Sequence, residues 1–238
     1  LLHGALEMLA ENDLRDCTDA TRLRDALLDA LGALWAAEFG PACAPVLRLQ
    51  RRAGEARLRQ FALDQAARRA EGWRLLHAEW PRRLPEGQSQ PFALGALPLG
   101  DEGGMPLRGR IDRIDVHERD GRVAILDYKT GDSAHTPAKL HGRPGKWKDL
   151  QLPLYRHLAG TVPEVRAAAD DGRLALGYFA LPREAEKAGV HEAPWDAEAL
   201  RDADACAADV ARAVRRGEFD DVGEYPEEEG VLGALCAL

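Results

Sequence analysis

The sequence predicts an α/β or α+β fold, in which helices precede and follow a compact cluster of strands. Residues up to about 80 are rich in alanine, leucine and arginine, and their apolar positions recur at helical spacing. Glycine and proline become frequent over 86–108, where short strand-like runs begin. This order is typical of a small central sheet with helices packed against it.

The helices of the first part are bounded by prolines, which interrupt or end a helix. Pro41 and Pro45 separate the second helix from the third, and Pro81 with Pro85 closes the third. The predicted helices of this part span 2–11, 19–38 and 45–79.

Short strands and further helices are predicted in the rest of the chain. The strands are expected over 91–98, 106–116, 121–129 and 173–181. Helices are expected over 150–160 and 196–217, the second of them ending at Gly217, because glycine often follows a helix. A loop fills 131–148, and the residues after Phe219 form an acidic tail.

Composition bounds the class of protein. The chain has 238 residues, of which 45% are apolar, and this suffices for one large domain or two small ones. The net charge of −8 argues mildly against a generic nucleic-acid coat, but it leaves room for a local basic groove. The longest apolar stretch is broken by charged residues, glycine and proline, so no membrane span is predicted. A chain that begins at Leu1, without a methionine, is expected to be a piece of a longer protein or a processed chain.

Cysteine usage indicates the compartment. The four cysteines lie far apart and form no CxxC pair, so neither a zinc knuckle nor a disulfide framework is indicated. A reducing, cytoplasmic setting is therefore expected. The cysteines are Cys17, Cys43, Cys206 and Cys236.

The stretch "VAILDYKTG" at 123–131 places an acid and a base side by side. Four apolar residues closed by a Thr-Gly pair predict a buried strand that ends in a turn. Because side chains alternate across a strand, Asp127 and Lys129 share one face and Tyr128 faces the other way. Such a pair is either a structural ion pair or part of a functional site.

A second acid lies upstream in "GRIDRIDV". Asp112 belongs to a strand that ends at a turn signal, with Asp120-Gly121 as the hairpin corner. The two strands are therefore expected to pair antiparallel, with Asp112 close to Asp127. Two neighbouring carboxylates repel unless a cation lies between them, and oxygen ligands suit Mg²⁺ or Mn²⁺. Asp115, in the same strand, is interpreted as a salt-bridge or outer supporting group.

The segments "GRIDRID", "DYKTG" and "QLPLY", in that order, resemble motifs of the PD-(D/E)XK nuclease superfamily, in its RecB-like, AddB-type branch. The N-terminal "LLHGALE" resembles the histidine motif of the same branch. The resemblance implies catalytic roles for Asp112, Asp127 and Lys129. It implies metal ligands from His3, Asp112, Asp127 and the main-chain carbonyl of Tyr128. Gln151 and Tyr155 match the QxxxY element that is thought to line the DNA path.

The resemblance also implies the fold and the partners. The fold would be a restriction-endonuclease-like core with a small central mixed sheet flanked by helices. One RecB-like domain would span 1–238, with a helical region at 1–85, the catalytic sheet and QxxxY helix at 86–185, and a C-terminal helix and tail at 186–238. DNA would be the substrate. A helicase region or a helicase protein is a candidate partner, since the chain has no Walker A motif. No iron–sulfur cluster is expected, because Cys236 alone stands near a suitable position.

Helical spacing supports two of these motifs. His3 and Glu7 are four residues apart, so they share one helix face, and Glu7 is expected to support the site from outside the ligand set. An imidazole ligand leaves room for Mn²⁺ beside Mg²⁺. Gln151 and Tyr155 are also one turn apart, and Asp149 is expected to cap their helix.

A basic stretch, "KLHGRPGKWK", separates the lysine motif from the QxxxY helix. Phosphate contacts are expected from its cations, and base stacking is expected from Trp147. An ordinary solvated loop is the alternative. The cations are Lys139, Arg143, Lys146 and Lys148.

These observations predict a metal-dependent DNA nuclease that hydrolyses phosphodiester bonds in repair or recombination, as an exonuclease or an endonuclease. One alternative is a non-catalytic DNA-binding or structural module with the same fold. Another is a hydrolase that uses paired carboxylates on sugars and needs no metal.

Overall fold

The computed structural model describes residues 1–10, 13–40, 44–82, 92–133 and 135–218. The helices are α1 (Leu2–Glu7), α2 (Ala20–Phe39), α3 (Pro45–Ala70), α4 (Pro137–His141), α5 (Gln151–Leu158), α6 (Pro163–Asp170) and α7 (Ala197–Arg216). The strands are β1 (Trp73–Trp80), β2 (Ala93–Pro98), β3 (Gly104–Gly109), β4 (Ile111–His117), β5 (Val123–Lys129), β6 (Gly142–Arg143), β7 (Lys146–Trp147), β8 (Leu174–Ala180) and β9 (Gly189–Glu192).

A five-stranded mixed sheet with the order β1-β4-β5-β8-β9 forms the centre of the fold. β4 and β5 pair antiparallel, with Ile114 opposite Ile125, as the sequence predicted. β5 and β8 pair parallel, and the chain between them supplies α4, α5 and α6. Outer strands β1 and β9 are antiparallel to their neighbours. The predicted small mixed sheet flanked by helices is confirmed.

Helices cover both faces of this sheet, because each face carries an apolar set that has to be removed from water. On one face α1, α2 and α3 enclose a core that includes Leu6, Leu27, Phe61, Leu126 and Tyr128. On the other face α5 and α6 enclose a core that includes Ile114, Ile125, Leu152, Val165 and Tyr178. A third cluster joins α7 to the β2–β3 hairpin through Leu97, Leu99, Ala207 and Ala211.

Local signals fix several helix ends. Asp19 accepts hydrogen bonds from the backbone of Thr21 and Arg22 and so caps α2. Asp196 accepts one from Ala199 N and caps α7, which ends at Gly217 with φ 72, as predicted. Helices of 18 or more residues occur among the described residues, but none is apolar enough to cross a membrane.

The helix predicted over 45–79 is wrong in its last part. α3 ends at Ala70, Gly72 turns the chain with φ 102, and 73–80 form β1. The sequence of this strand, WRLLHAEW, contains several good helix formers, so its local preference is ambiguous. Pairing with β4, some forty residues away in the chain, makes it a strand.

Other elements differ in extent. The strand predicted over 106–116 is two strands, β3 and β4, which belong to different sheets and are separated at Arg110. The helix predicted over 2–11 is α-helical only to Glu7. The loop predicted over 131–148 contains α4 and the β6–β7 ribbon, and α6 and β9 were not predicted. The acidic tail, Cys43 and Cys236 lie outside the described residues.

Candidate active site

Three side chains from distant segments converge at one edge of the sheet. They are His3 on α1, Glu79 near the end of β1 and Asp112 near the start of β4. His3 Nδ1 lies 3.3 Å from Glu79 Oε1 and 3.8 Å from Asp112 Oδ2. Each residue offers a ligand atom, and these atoms all lie within 4.8 Å of one another. Two carboxylates and an imidazole form a donor set that suits a divalent cation such as Mn²⁺ or Mg²⁺.

Glu79 was missed by the sequence reasoning. It was placed inside a helix, whereas in β1 it lies opposite Asp112, since Ala78 pairs with Arg113 and Trp80 with Ile111. Its backbone has φ 47, which is uncommon for a residue other than glycine and is often found at functional sites. Its side chain is buried. A strand interpretation of "LLHAEW" would have removed Glu79 from the predicted helix, but its place opposite Asp112 follows only from the pairing with β4.

The surroundings of Asp112 disfavour the charged form of its carboxyl group. Burial, together with the nearby charge of Asp127, raises the pKa of Asp112 to about 6. The backbone N–H of Tyr128 donates to Asp112 Oδ2 at 2.8 Å and partly offsets this effect. A bound cation would offset it further, so the charge balance fits an ion at this position.

His3 is a proton donor to the same cluster. Its hydrogen bond to Glu79 raises its pKa, burial opposes this change, and the attraction of Asp112 adds to it. Because a carboxylate only accepts, Nδ1 carries the proton in this arrangement. The same nitrogen would lose that proton to bind a cation.

Asp127 and Lys129 share one face of β5, as predicted. Lys129 Nζ lies 2.7 Å from Asp127 Oδ2. The Tyr155 hydroxyl donates to the other oxygen, Oδ1, at 3.2 Å, and Gln151 Nε2 donates to that hydroxyl at 2.8 Å. Asp127 is therefore held from both sides. The QxxxY residues reach the acid of the lysine motif, and burial, the largest cause, raises the pKa of Tyr155.

The helix that carries Gln151 and Tyr155 begins close to its predicted start. Asp149 Oδ1 accepts a hydrogen bond from Gln151 N at 2.7 Å and so satisfies the first backbone N–H of the helix, but the N-cap position itself is Leu150, which makes no side-chain cap bond. Leu152 and Leu158 of the same helix are buried in the core. One face of α5 therefore packs, while the other faces Asp127.

The two acids predicted to support the site have different surroundings, and the supporting role of Glu7 stays a prediction. Glu7 lies one turn after His3 on α1, where it lines a surface groove with His77 and Trp80. Asp115 is fully buried and forms ion pairs with Arg68 at 2.7 Å and Arg113 at 2.8 Å. Asp115 is thus a structural ion-pair residue that joins α3 to the sheet.

The ion pairs of Asp115 belong to a buried network that reaches Tyr128, next to the site, through Arg113. Arg113 Nη2 donates to Gln65 Oε1 at 2.7 Å, and its Nη1 lies 3.5 Å from the Tyr128 hydroxyl. Tyr128 is the residue whose backbone N–H holds Asp112. The network therefore fixes the strand segment between Asp127 and Lys129. The Tyr128 carbonyl as a metal ligand stays a prediction.

The basic stretch comprises the end of α4 and the short β6–β7 ribbon. A side chain at Gly142, where φ is 92, would come within 2.2 Å of the Lys146 carbonyl, so the ribbon requires glycine there. Four cations of this stretch are exposed, and none of them makes an ion pair with another described residue: Lys139, Arg143, Lys146 and Lys148.

Trp147 has partners of its own within the fold. Its Nε1 donates to Asp202 at 2.6 Å, and its ring packs edge-to-face against Trp195 at 5.2 Å between centroids. These contacts account for its position without a nucleobase. Stacking of Trp147 on DNA stays a prediction.

Comparison with known proteins agrees with this architecture. The family model of the PD-(D/E)XK nuclease superfamily matches residues 1–236. A region of 131 residues, 51% of the chain, is 30% identical to an ATP-dependent helicase/deoxyribonuclease subunit from Desulforudis audaxviator (strain MP104C). The matched part makes up 10% of that relative.

The mixed sheet flanked by helices is a restriction-endonuclease-like fold. The chain belongs to the PD-(D/E)XK nuclease superfamily.

Proposed function

We propose that this protein is a metal-dependent deoxyribonuclease that hydrolyses phosphodiester bonds of DNA. The observation that carries the proposal is the convergence of His3, Glu79 and Asp112 beside the Asp127–Lys129 pair. Asp127 lies outside the group of three whose ligand atoms are within 4.8 Å of one another, but it is near enough for its charge to raise the pKa of Asp112. Asp112 is therefore poorly accommodated as an anion without a cation.

The ion proposed for this site is Mg²⁺ or Mn²⁺. His3, Glu79 and Asp112 would hold it, with Asp127 and the Tyr128 carbonyl as further ligands. When bound, such an ion supplies positive charge to the phosphate and acidifies a water molecule. The mixed donor set, with one imidazole among carboxylates, favours Mn²⁺ more than an all-oxygen site would.

The chain's own residues orient the reaction. Lys129 carries a positive charge next to the acids, where it can hold the attacking water or stabilise charge that develops on the phosphate. Asp127 fixes the ammonium group at 2.7 Å. Tyr155 holds Asp127 in turn, and Gln151 holds Tyr155. Both residues are proposed to line the path of a DNA strand.

Exposed cations of the basic stretch are proposed to extend the site toward DNA. Lys139, Arg143, Lys146 and Lys148 are proposed to contact phosphates, although the net charge of the chain is −8. The relative named above is part of a helicase/deoxyribonuclease, which supports a role in DNA repair or recombination with a helicase as partner. The chain spans only 10% of that relative, so these wider roles are proposals.

A cleavage assay tests the proposal. Plasmid and single-stranded DNA are incubated with the protein in Mg²⁺, Mn²⁺ or EDTA, beside Asp127→Ala, Lys129→Ala and the control Lys187→Ala, whose side chain pairs with Glu184 on the surface. We expect cleavage by wild type and control with metal only, and none by the two site variants. Equal cleavage by all four proteins would remove the assignment. Binding of DNA without any cleavage would support the non-catalytic module instead.

A further inference from the structure

Next to the Asp127–Lys129 pair, three aromatic rings contact one another in series. The Tyr178 and His141 ring centroids are 5.7 Å apart, and those of His141 and Trp195 are 5.6 Å apart. Lys129 Nζ lies 4.8 Å from the Tyr178 ring centroid, a distance at which the ring face attracts an ammonium. The ammonium thus lies between the Asp127 carboxylate and an aromatic face.

Each of the three rings carries a buried polar atom that has no hydrogen-bond partner among the described residues. The atoms are His141 Nε2, Tyr178 Oη and Trp195 Nε1. A buried polar atom left unpaired costs about 1–3 kcal/mol, so such atoms are normally satisfied by water when protein groups do not reach them. Because the rings that carry them contact one another, the three atoms lie in one region of the fold, and ordered water is what normally satisfies such atoms.

The hydrogen bond at Nδ1 of His141 determines whether its Nε2 needs a hydrogen-bond donor or an acceptor. His141 Nδ1 lies 3.0 Å from the carbonyl oxygen of Asp149, and a carbonyl only accepts, so Nδ1 carries the proton. Burial lowers the pKa of His141 and favours the neutral ring. Nε2 is then an acceptor that needs a donor, and a water molecule that donates to Nε2 and accepts from the Tyr178 hydroxyl satisfies both atoms.

We propose that Tyr178 and His141 position Lys129 for the reaction: the Tyr178 ring supports the ammonium, and an ordered water held between the Tyr178 hydroxyl and His141 Nε2 fixes that ring. This inference rests on the proposed function, in which Lys129 acts at the phosphate. Lysine has a long, flexible stem, so its ammonium needs such support to occupy one place. His141 and Tyr178 are each 1% exposed, and they act through Lys129 as positioning residues.

The position of the Lys129 side chain is measured first, by an experiment that does not depend on DNA cleavage. Lysine-selective labelling and NMR report the proton shift of the Lys129 ε-methylene, which the Tyr178 ring current moves upfield. We expect this shift in wild type and in Tyr178→Phe, which keeps the ring, and its loss in Tyr178→Leu. An unchanged Lys129 signal in Tyr178→Leu would overturn the placement, and it would do so even if the protein has no nuclease activity.

Kinetics then test the role in the reaction. We expect Tyr178→Leu to lower kcat about tenfold with little change in KM. Tyr178→Phe and His141→Phe are expected to lower kcat less, and their double variant to be no worse than either alone, because both remove the same water. Trp35→Phe is the matched control, since Trp35 Nε1 is also buried without a partner among the described residues but lies on α2. Full kcat in Tyr178→Leu, or additive losses in the double variant, would contradict the proposal.

Discussion

Glu79 Oε1 lies 3.3 Å from His3 Nδ1, although the two residues are 76 positions apart in the chain. The contact links the first helix to the end of the first strand and completes the group that includes Asp112. Because Glu79 is buried at 2% exposure, its charge acts with little screening by solvent. Glu79 therefore stands as a proposed ligand that the motifs of the sequence did not reveal.

Replacing Glu79 by glutamine is expected to weaken metal binding. The variant keeps the shape of the side chain but removes one negative charge, so the apparent Kd for Mn²⁺ should rise by about tenfold or more. Isothermal titration calorimetry measures this change. Glu71→Gln, in the exposed turn after α3, is the control and should bind as wild type does. An unchanged Kd in Glu79→Gln would show that the ion, if bound, does not use this carboxylate.

The raised pKa of Asp112 predicts how stability varies with pH in the metal-free protein. A buried acid with a folded-state pKa of about 6 binds its proton more tightly than the unfolded chain does, so stability falls as pH rises from about 4 to about 6. Asp112→Asn removes this cost. In EDTA at neutral pH we expect the variant to be more stable than wild type by on the order of 3 kcal/mol.

Denaturant unfolding at two pH values checks this expectation. Near pH 4 the carboxyl of Asp112 is protonated in the folded protein, so the two proteins should differ little. At neutral pH the difference should appear, and saturating Mn²⁺ should stabilise wild type while leaving Asp112→Asn almost unaffected. A variant less stable than wild type at both pH values would mean that Asp112 is accommodated as an anion without a cation.

The sequence predicted the part of the site that depends on short-range pattern. The β4–β5 hairpin is local, and alternation along β5 placed Asp127 and Lys129 on one face. Helical spacing likewise brought Gln151 to Tyr155. Glu79 escaped because the identity of β1 as a strand depends on pairing with β4, a long-range contact that local preference does not encode. Partners such as Asp202 for Trp147 were hidden for the same reason.

The buried pair of Asp115 and Arg113 is expected to be essential for folding. Asp115→Ala leaves the guanidinium of Arg113 buried without its carboxylate, which typically costs about 3–5 kcal/mol. Denaturant unfolding at neutral pH measures the loss. The exposed acid Glu184, which pairs with Lys187, provides the control Glu184→Ala, expected to change stability by less than about 0.5 kcal/mol. Equal free energies of unfolding for Asp115→Ala and Glu184→Ala would show that the buried ion pair does not stabilise the fold.

The exposed cations of the basic stretch predict a measurable salt dependence of DNA binding. Each phosphate contact removed should reduce the slope of log affinity against log salt by about 0.7–0.9. A quadruple glutamine variant of Lys139, Arg143, Lys146 and Lys148 is compared with wild type by fluorescence anisotropy in Ca²⁺, which is expected to permit binding without cleavage.

Arg24→Gln, whose side chain pairs with Asp25 on α2, controls for loss of charge elsewhere. We expect a slope lowered by about 2 or more in the quadruple variant and an unchanged slope in the control, since only charges that meet phosphates release counterions on binding. A quadruple variant with the wild-type slope would show that DNA passes over another surface, and the ribbon would then be an ordinary solvated loop.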